Sequence, residues 1–282
     1  MHVEDRLEQK KNAVEVFLKQ LLTRYESSSL IEAMQHSILS GGKRYRPLLL
    51  LSTGECFNVP QEDSLPFACG LELIHNYSLV HDDLPSMDND DYRRGQLSCH
   101  KAYGEDIALL TGDLLLTLAF EIMAGASLHN SDPAKQINII HEISSFAGLQ
   151  GMIGGQMLDI TVSPKKLSED ILFELMEKKT ASLIIAAVRS GALLGNASSD
   201  CLNGLSEYGR NIGLAFQIRD DILDSEQDKE GHNLLRPNSV SVWGMKKARI
   251  KLAEHIEESV RYLDGACIAS EELRYLAYML SV

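Results

Sequence analysis

A chain of 282 residues with 44% apolar and 24% charged side chains has the make-up of a soluble globular protein with a sizeable core. Forty acidic side chains against 27 basic ones leave a formal charge of −13, which argues against nucleic acid as the main partner. It leaves room for a small anion, provided metals and a few basic groups gather around it. The five cysteines (Cys56, Cys69, Cys99, Cys201, Cys267) are scattered and form no Cys-x-x-Cys pair, so reduced thiols in a cytoplasmic protein are expected rather than a disulfide framework or a zinc site.

Taken from the N-terminus, MHVEDRLEQKKNAVEVF is charged throughout and lacks the apolar core of a signal peptide. Ala13, Val14, Phe17, Leu18, Leu21 and Leu22 follow the spacing of an amphipathic helix. Residues 58 to 66 and 130 to 133 read as interhelix loops. Between them an apolar run from Leu71 ends in Asp82 and Asp83, with Pro85 as its breaker. Residues 106 to 123 are apolar nearly all round, as suits a helix buried at a core or subunit interface, and no apolar run is expected to reach the ~18 residues of a membrane span. Gly148, Gly151, Gly154 and Gly155 permit close helix approach near Gln156. Ser168 with Glu169 and Asp170 predicts an N-cap and acidic first turn for a helix through Val188. The least helical stretch, 225 to 241, is where a mobile lid is expected. Period-two alternation is scarce, so the predicted fold is all-α: one domain over 1–282, a bundle of about ten or more helices around a central cleft.

Two acidic clusters stand out. Asp220 and Asp224 lie one helical turn apart on one face, with Asp221 beside them and Phe216, Ile218, Ile222 and Leu223 around. A solvated acidic face is the bland reading, but bare carboxylates stacked this way repel unless a cation lies between them. Asp82 and Asp88 are too far apart in sequence to share a face on a straight helix, and a turn at Pro85 is needed to bring Asp88 back. Acid at a helix C-terminus opposes the dipole, so positive charge is wanted there. Arg93 and Arg94 supply part of it and hard divalent cations with oxygen ligands the rest. The two clusters are read as jaws holding Mg²⁺ against a diphosphate. Upstream, Gly41-Gly42 beside Lys43, Arg44 and Arg46 could surround a phosphate, although a lone basic stretch is usually surface. Lys179 and Thr180 interrupt an apolar helix, so Lys179 is either a rim residue or an anion ligand. His75, two turns before Asp82, is by itself more often a core or rim histidine.

The ordered series GGKRYRP, IHNYSLVHDDLPSMDNDDYRRG, GGQMLD, KKTASLI and FQIRDDILD resembles the motifs of the short-chain trans-isoprenyl diphosphate synthases, over roughly residues 30 to 225. Within that family the likeness is nearest to farnesyl and geranylgeranyl synthases. The resemblance implies the isoprenoid synthase fold, a homodimer and Mg²⁺ ligands at Asp82, Asp88, Asp220 and Asp224, with Asp83 and Asp221 in support. It implies isopentenyl diphosphate contacts at Gly42, Lys43, Arg46, His75 and Arg94. Allylic diphosphate contacts fall on Arg93, Lys179 and Thr180, with Gln217 nearby.

Product length in the family is set beneath the first cluster, here by Tyr77 and Ser78. A Tyr ring about 7.5 Å along the helix from Asp82 would floor the tail pocket early, as in farnesyl synthases. That Tyr77 only packs the core stays open. After Asp224 the likeness weakens. Lys229 and Arg236 are the only basic residues before Trp243, no Thr-Tyr-Pro occurs, and the C-terminus LRYLAYMLSV has no basic tail. An active prenyltransferase making farnesyl diphosphate is favoured because both clusters and the Lys43/Arg46 site are intact. A geranylgeranyl synthase and a non-catalytic regulatory subunit are the alternatives. A terpene cyclase would explain the second cluster but not GGKRYRP.

Overall fold

The computed structural model describes residues 2–129, 132–162, 167–227, 238–266 and 268–282. The chain forms two compact units, one of Met1–Leu51 with Pro60–Ile140, the other of Ser52–Val59 with His141–Val282. Helices run in the order α1 (Val3–Leu22), α2 (Ser29–Leu39), α3 (Tyr45–Cys56), α4 (Gln61–Asp82), α5 (Cys99–Tyr103), α6 (Glu105–Ala124) and α7 (Pro133–Ala147). They continue with α8 (Met152–Thr161), α9 (Glu169–Met176), α10 (Ser182–Leu194), α11 (Ser199–Gln227), α12 (Ser239–Trp243), α13 (Met245–Gly265) and α14 (Glu271–Tyr278). The all-α expectation holds. Among the described residues the only strands are β1 (Tyr92–Arg93) and β2 (Gln96–Leu97), a two-rung antiparallel hairpin. Arg94 and Gly95, with φ of 53° and 79°, make the left-handed two-residue turn that such hairpins need.

In the first unit α4 is the central element. Glu62 and Asp63 put negative charge in its first turn, and Phe67, Leu71, Leu73, Ile74, Tyr77 and Val80 are buried along it. The predicted loop 58–66 is therefore shorter: α4 begins at Gln61, with Pro66 inside it. The loop expected at 130–133 falls partly outside the described residues; α7 begins with Pro133 at its first helical position, which a proline favours.

α6 buries Ala108, Thr111, Gly112, Leu115, Ala119, Ile122 and Met123 and packs on α4, α2 and α5, while Leu109 and Leu110 are half exposed. The expectation that no run is long enough for a membrane is corrected here. By length and composition α6 can span one, with a mean hydropathy of 1.8 over its best 18-residue window. A core helix passes the same test, and its buried face is occupied by α4, α2 and α5.

In the second unit α11, 29 residues long, packs against α10 and α13. Ser168 caps α9 as predicted, its hydroxyl accepting the Ile171 N–H at 3.3 Å. The helix expected to run unbroken to Val188 is instead interrupted by a π-helical turn, Glu177–Ala181. Of the stretch 225–241, residues 225–227 extend α11 and 239–241 open α12. Residues 228–237, with Lys229 and Arg236, lie outside the described residues.

Candidate active site

α4 ends at Asp82, and the chain then coils tightly instead of leaving. Met87 N–H donates to Leu84 O at 2.8 Å, Asp88 N–H to Asp82 O at 2.8 Å and Asn89 N–H to Leu84 O at 3.1 Å, with Asn89 left-handed at φ 54°. The turn required at Pro85 therefore exists, and it returns Asp88 to Asp82. Both are half-buried, while Asp83 is buried. Asp83 is gripped by Arg93, whose Nε donates at 2.9 Å and whose Nη2 also bonds it, and Arg93 reaches Asp90 at 3.0 Å. Burial pushes the Asp83 carboxyl up and Arg93 pulls it back, so the two form a charge-paired unit within the turn.

The Gly-Gly pair serves a neighbour. Gly41 (φ 88°) and Gly42 (φ 135°) take backbone conformations that side chains avoid. Arg94 donates to Gly41 O, and a Cβ on Gly42 would lie 3.1 Å from the Arg94 guanidinium. Of the basic residues that follow, Lys43 is exposed and Arg46 buried. Arg44 does not join a phosphate site as its position in the motif led us to expect. It turns inward to Glu15 at 2.7 Å, Glu72 at 2.8 Å and Ile38 O at 2.6 Å. A buried guanidinium needs carboxylates, and Glu15 and Glu72 are too distant in sequence for any motif to reveal them.

His75 sits among these cations. Its own burial, then Arg46, Arg94, Arg44 and Arg93, hold its imidazole well below the usual range, so it is neutral at pH 7. Arg44 among them is already met by Glu15 and Glu72, and Arg93 by Asp83 and Asp90. One turn on, Ser78 donates to His75 O at 2.9 Å. Tyr77 is buried, its phenol without a hydrogen-bond partner and pushed up to about 12 by burial and then by Asp82. It stands edge-on to His81 at 5.8 Å. His81 in turn meets Leu109 O at 3.0 Å and presses on Gly112, where a Cβ would fall 2.0 Å from its Nε2.

In the second unit the π-turn carries Lys179 and Thr180. Lys179 pairs with Asp159 of α8 at 2.5 Å. Gly155 lets α8 come close, since a Cβ there would lie 2.2 Å from Lys179 N; Gly151 and Gly154 instead face carbonyls of the preceding turn, Phe146 and Leu149. Thr180 Oγ1 donates to Gln217 Oε1 at 2.6 Å, and Gln217 Nε2 donates to Asp221 Oδ1 at 2.9 Å. The Ser239 N–H donates to Asp221 Oδ2 at 2.8 Å. Burial raises the Asp221 carboxyl, these donors oppose the rise, and Asp224 adds to it. Asp220 is half-buried, 3.5 Å from Arg219, and Asp224 is exposed.

Lys179, Thr180, Gln217 and Asp221 are thus brought together as a connected set, as are Asp82, Asp83, Asp88 and Arg93. Sequence reasoning passed over Asp159 and Ser239 as partners. Asp159 was legible only as the end of GGQMLD, and nothing flagged Ser239. Among the described residues no three of His, Cys, Asp or Glu converge as a metal site. The carboxylate pairs Asp82/Asp88 and Asp220/Asp224 nonetheless offer the hard oxygen donors that Mg²⁺ takes.

The sequence model of the polyprenyl synthetase family matches residues 27–233. The chain is 39% identical to a farnesyl diphosphate synthase of Geobacillus stearothermophilus, across 100% of this chain and 98% of that one. It is 36% identical to a farnesyl diphosphate synthase of Bacillus subtilis, over 90% and 88% respectively. The crystal structure of an FPP/GFPP synthase from Zymomonas mobilis matches with a TM-score of 0.89 at 34% identity, covering 99% of each chain.

Proposed function

The chain belongs to the polyprenyl synthetase family, and from that membership we propose that it is a trans-prenyltransferase joining isopentenyl diphosphate to dimethylallyl and geranyl diphosphates, with farnesyl diphosphate as product. The observation that carries this reading is the basic grip that Arg94 builds on Gly41 and Gly42, a few residues after the turn that returns the Asp88 N–H to Asp82 O. A cyclase has no use for a second diphosphate grip of that kind. The matched residues draw on both compact units, which supports reading 1–282 as one catalytic domain.

Lys43, Arg46 and Arg94 hold the isopentenyl diphosphate, with Gly42 leaving room for the Arg94 guanidinium and neutral His75 free to hydrogen-bond without adding charge. Lys179 exchanges Asp159 for the allylic diphosphate, with Thr180 beside it in the π-turn. Asp82 with Asp88 in the first unit, and Asp220 with Asp224 in the second, are the carboxylates that would hold Mg²⁺, which when bound supplies charge neutralisation of the leaving diphosphate. The allylic C–O bond breaks with its electron pair on that diphosphate. The double bond of the second substrate attacks the allyl carbon, and the released diphosphate takes the proton lost in closing the new double bond. Apolar helix faces keep water from the cation. Tyr77 stops the growing tail, with Ser78 beside it. The four described cysteines are free thiols, which supports a cytoplasmic setting. The half-exposed Leu109 and Leu110 on α6 support a homodimer.

Purified protein given Mg²⁺, isopentenyl diphosphate and geranyl diphosphate is expected to make a fifteen-carbon product by chromatography. A twenty-carbon main product would make it a geranylgeranyl synthase. No elongation from dimethylallyl, geranyl or farnesyl primers would favour a regulatory subunit.

A further inference from the structure

Asp221 differs from the aspartates on either side of it. It is 8% exposed, and both of its oxygens are already taken: Oδ1 by Gln217 at 2.9 Å and Oδ2 by the Ser239 backbone N–H at 2.8 Å. Gln217 can turn its amide nitrogen to Asp221 because its oxygen receives Thr180 Oγ1 at 2.6 Å. A single hydrogen-bonded relay therefore runs from Ser239 through Asp221 and Gln217 to Thr180, the residue next to Lys179 in the π-turn.

The far end of the relay is itself anchored. Asn238 is extended (φ −139°, ψ 174°) and locks α12 by a reciprocal cap: its Oδ1 accepts the Ser241 N–H at 2.8 Å, and its own N–H donates to Ser241 Oγ at 3.0 Å. Ser239 is fully buried. At the other end of α12 the Trp243 ring lies 5.3 Å from Phe173 of α9, the helix that leads into the π-turn. Lys251 sits over both rings, 5.2 Å from Trp243 and 5.3 Å from Phe173. α12 is thus fastened to the substrate-bearing elements at both of its ends.

We propose that Ser239 is a positioning residue: its backbone N–H orients Asp221 and, through Gln217, fixes the π-turn that presents Lys179 and Thr180 to the allylic diphosphate. This rests on the prenyltransferase reading for its substrate, though not for the relay. It also gives α12 a role that composition hides, because the donor is backbone and any residue except proline supplies it.

That exception is the test. Ser239 is the first helical residue, where proline is well tolerated, and Asn238 already has the extended backbone that a following proline requires. Ser239→Pro therefore keeps a helix start while replacing the donor by a ring carbon, which removes the hydrogen bond and pushes the Asp221 carboxylate aside. It is expected to raise the KM for geranyl diphosphate about tenfold or more, the weight of a hydrogen bond to a charged group, and to leave the KM for isopentenyl diphosphate within about twofold. Ser239→Ala, which keeps the N–H, rescues the geranyl diphosphate KM. In metal-free protein, amides 177–181 should exchange hydrogen faster in Ser239→Pro than in Ser239→Ala. Should the proline variant not fold, Gln217→Met cuts the relay at its middle and is expected to loosen the same amides. Equal KM values and equal exchange in the proline and alanine variants would overturn the positioning role while leaving the prenyltransferase reading standing. A wild-type protein without elongation activity would remove that reading, and the exchange comparison would still decide the relay.

Discussion

Lys43 and Arg44 are neighbours in sequence and opposites in use. Arg44 is buried with Glu15, Glu72 and a carbonyl, whereas Lys43 faces solvent. Arg44→Met strands the Glu72 carboxylate and is expected to cost about 3–5 kcal/mol in urea unfolding, against less than about 0.5 kcal/mol for Lys43→Met. Tyr77 separates shape from polarity in the same way. Tyr77→Ala is expected to lengthen the product, while Tyr77→Phe keeps both product and stability, since its hydroxyl has no partner to lose. An unchanged product in Tyr77→Ala would place the pocket floor elsewhere. His255, pushed down to about 4 by burial and then by Lys251 and Arg210, is half-buried and neutral at pH 7. Below its unfolded value of about 6.5 the unfolded chain binds a proton that the native one refuses, so stability is full above that pH and falls as pH drops toward 4. His75 acts in the same direction. Urea midpoints taken through this window should decline, and His255→Gln should flatten the decline.

At the scale of elements, the readable features were those with local causes. The Ser168 cap of α9 and the return of Asp88 to Asp82 both follow from a few adjacent residues. The π-turn did not show in the sequence, because one extra residue in a helix leaves composition and periodicity almost unchanged. Its cause lies in the helices packed on it. Gly155 meets Lys179 N, and Gly213 meets Ala181, where a Cβ would lie 2.3 Å from Ala181 Cα. Gly155→Ala is therefore expected to cost about 1–3 kcal/mol through overpacking and to weaken geranyl diphosphate use more than isopentenyl diphosphate use. Thermal melts with steady-state kinetics check both parts. The hairpin at 92–97 is hidden for a similar reason: its turn rests on Arg94-Gly95, and in the sequence Arg94 reads as a basic group and diphosphate contact rather than as a turn residue.

Across the whole molecule, the fold class was legible because nearly every segment carries helical periodicity, and the family was legible because its motifs occur in order. What sequence could not give were long-range partners: Glu72 for Arg44, Asp159 for Lys179 and Ser239 for Asp221. On the proposed reading, a chain with a formal charge of −13 would handle two anionic substrates through two local sets of residues, Lys43, Arg46 and Arg94 in one, Lys179 with the hydroxyl of Thr180 in the other. The most direct test of that division is the pair of substrate KM values in Lys43→Ala and Lys179→Ala. Lys43→Ala is expected to raise the isopentenyl diphosphate KM about tenfold while sparing geranyl diphosphate, and Lys179→Ala to do the reverse. If both variants weakened the same substrate, or neither weakened either, the assignment of two separate diphosphate grips would be contradicted.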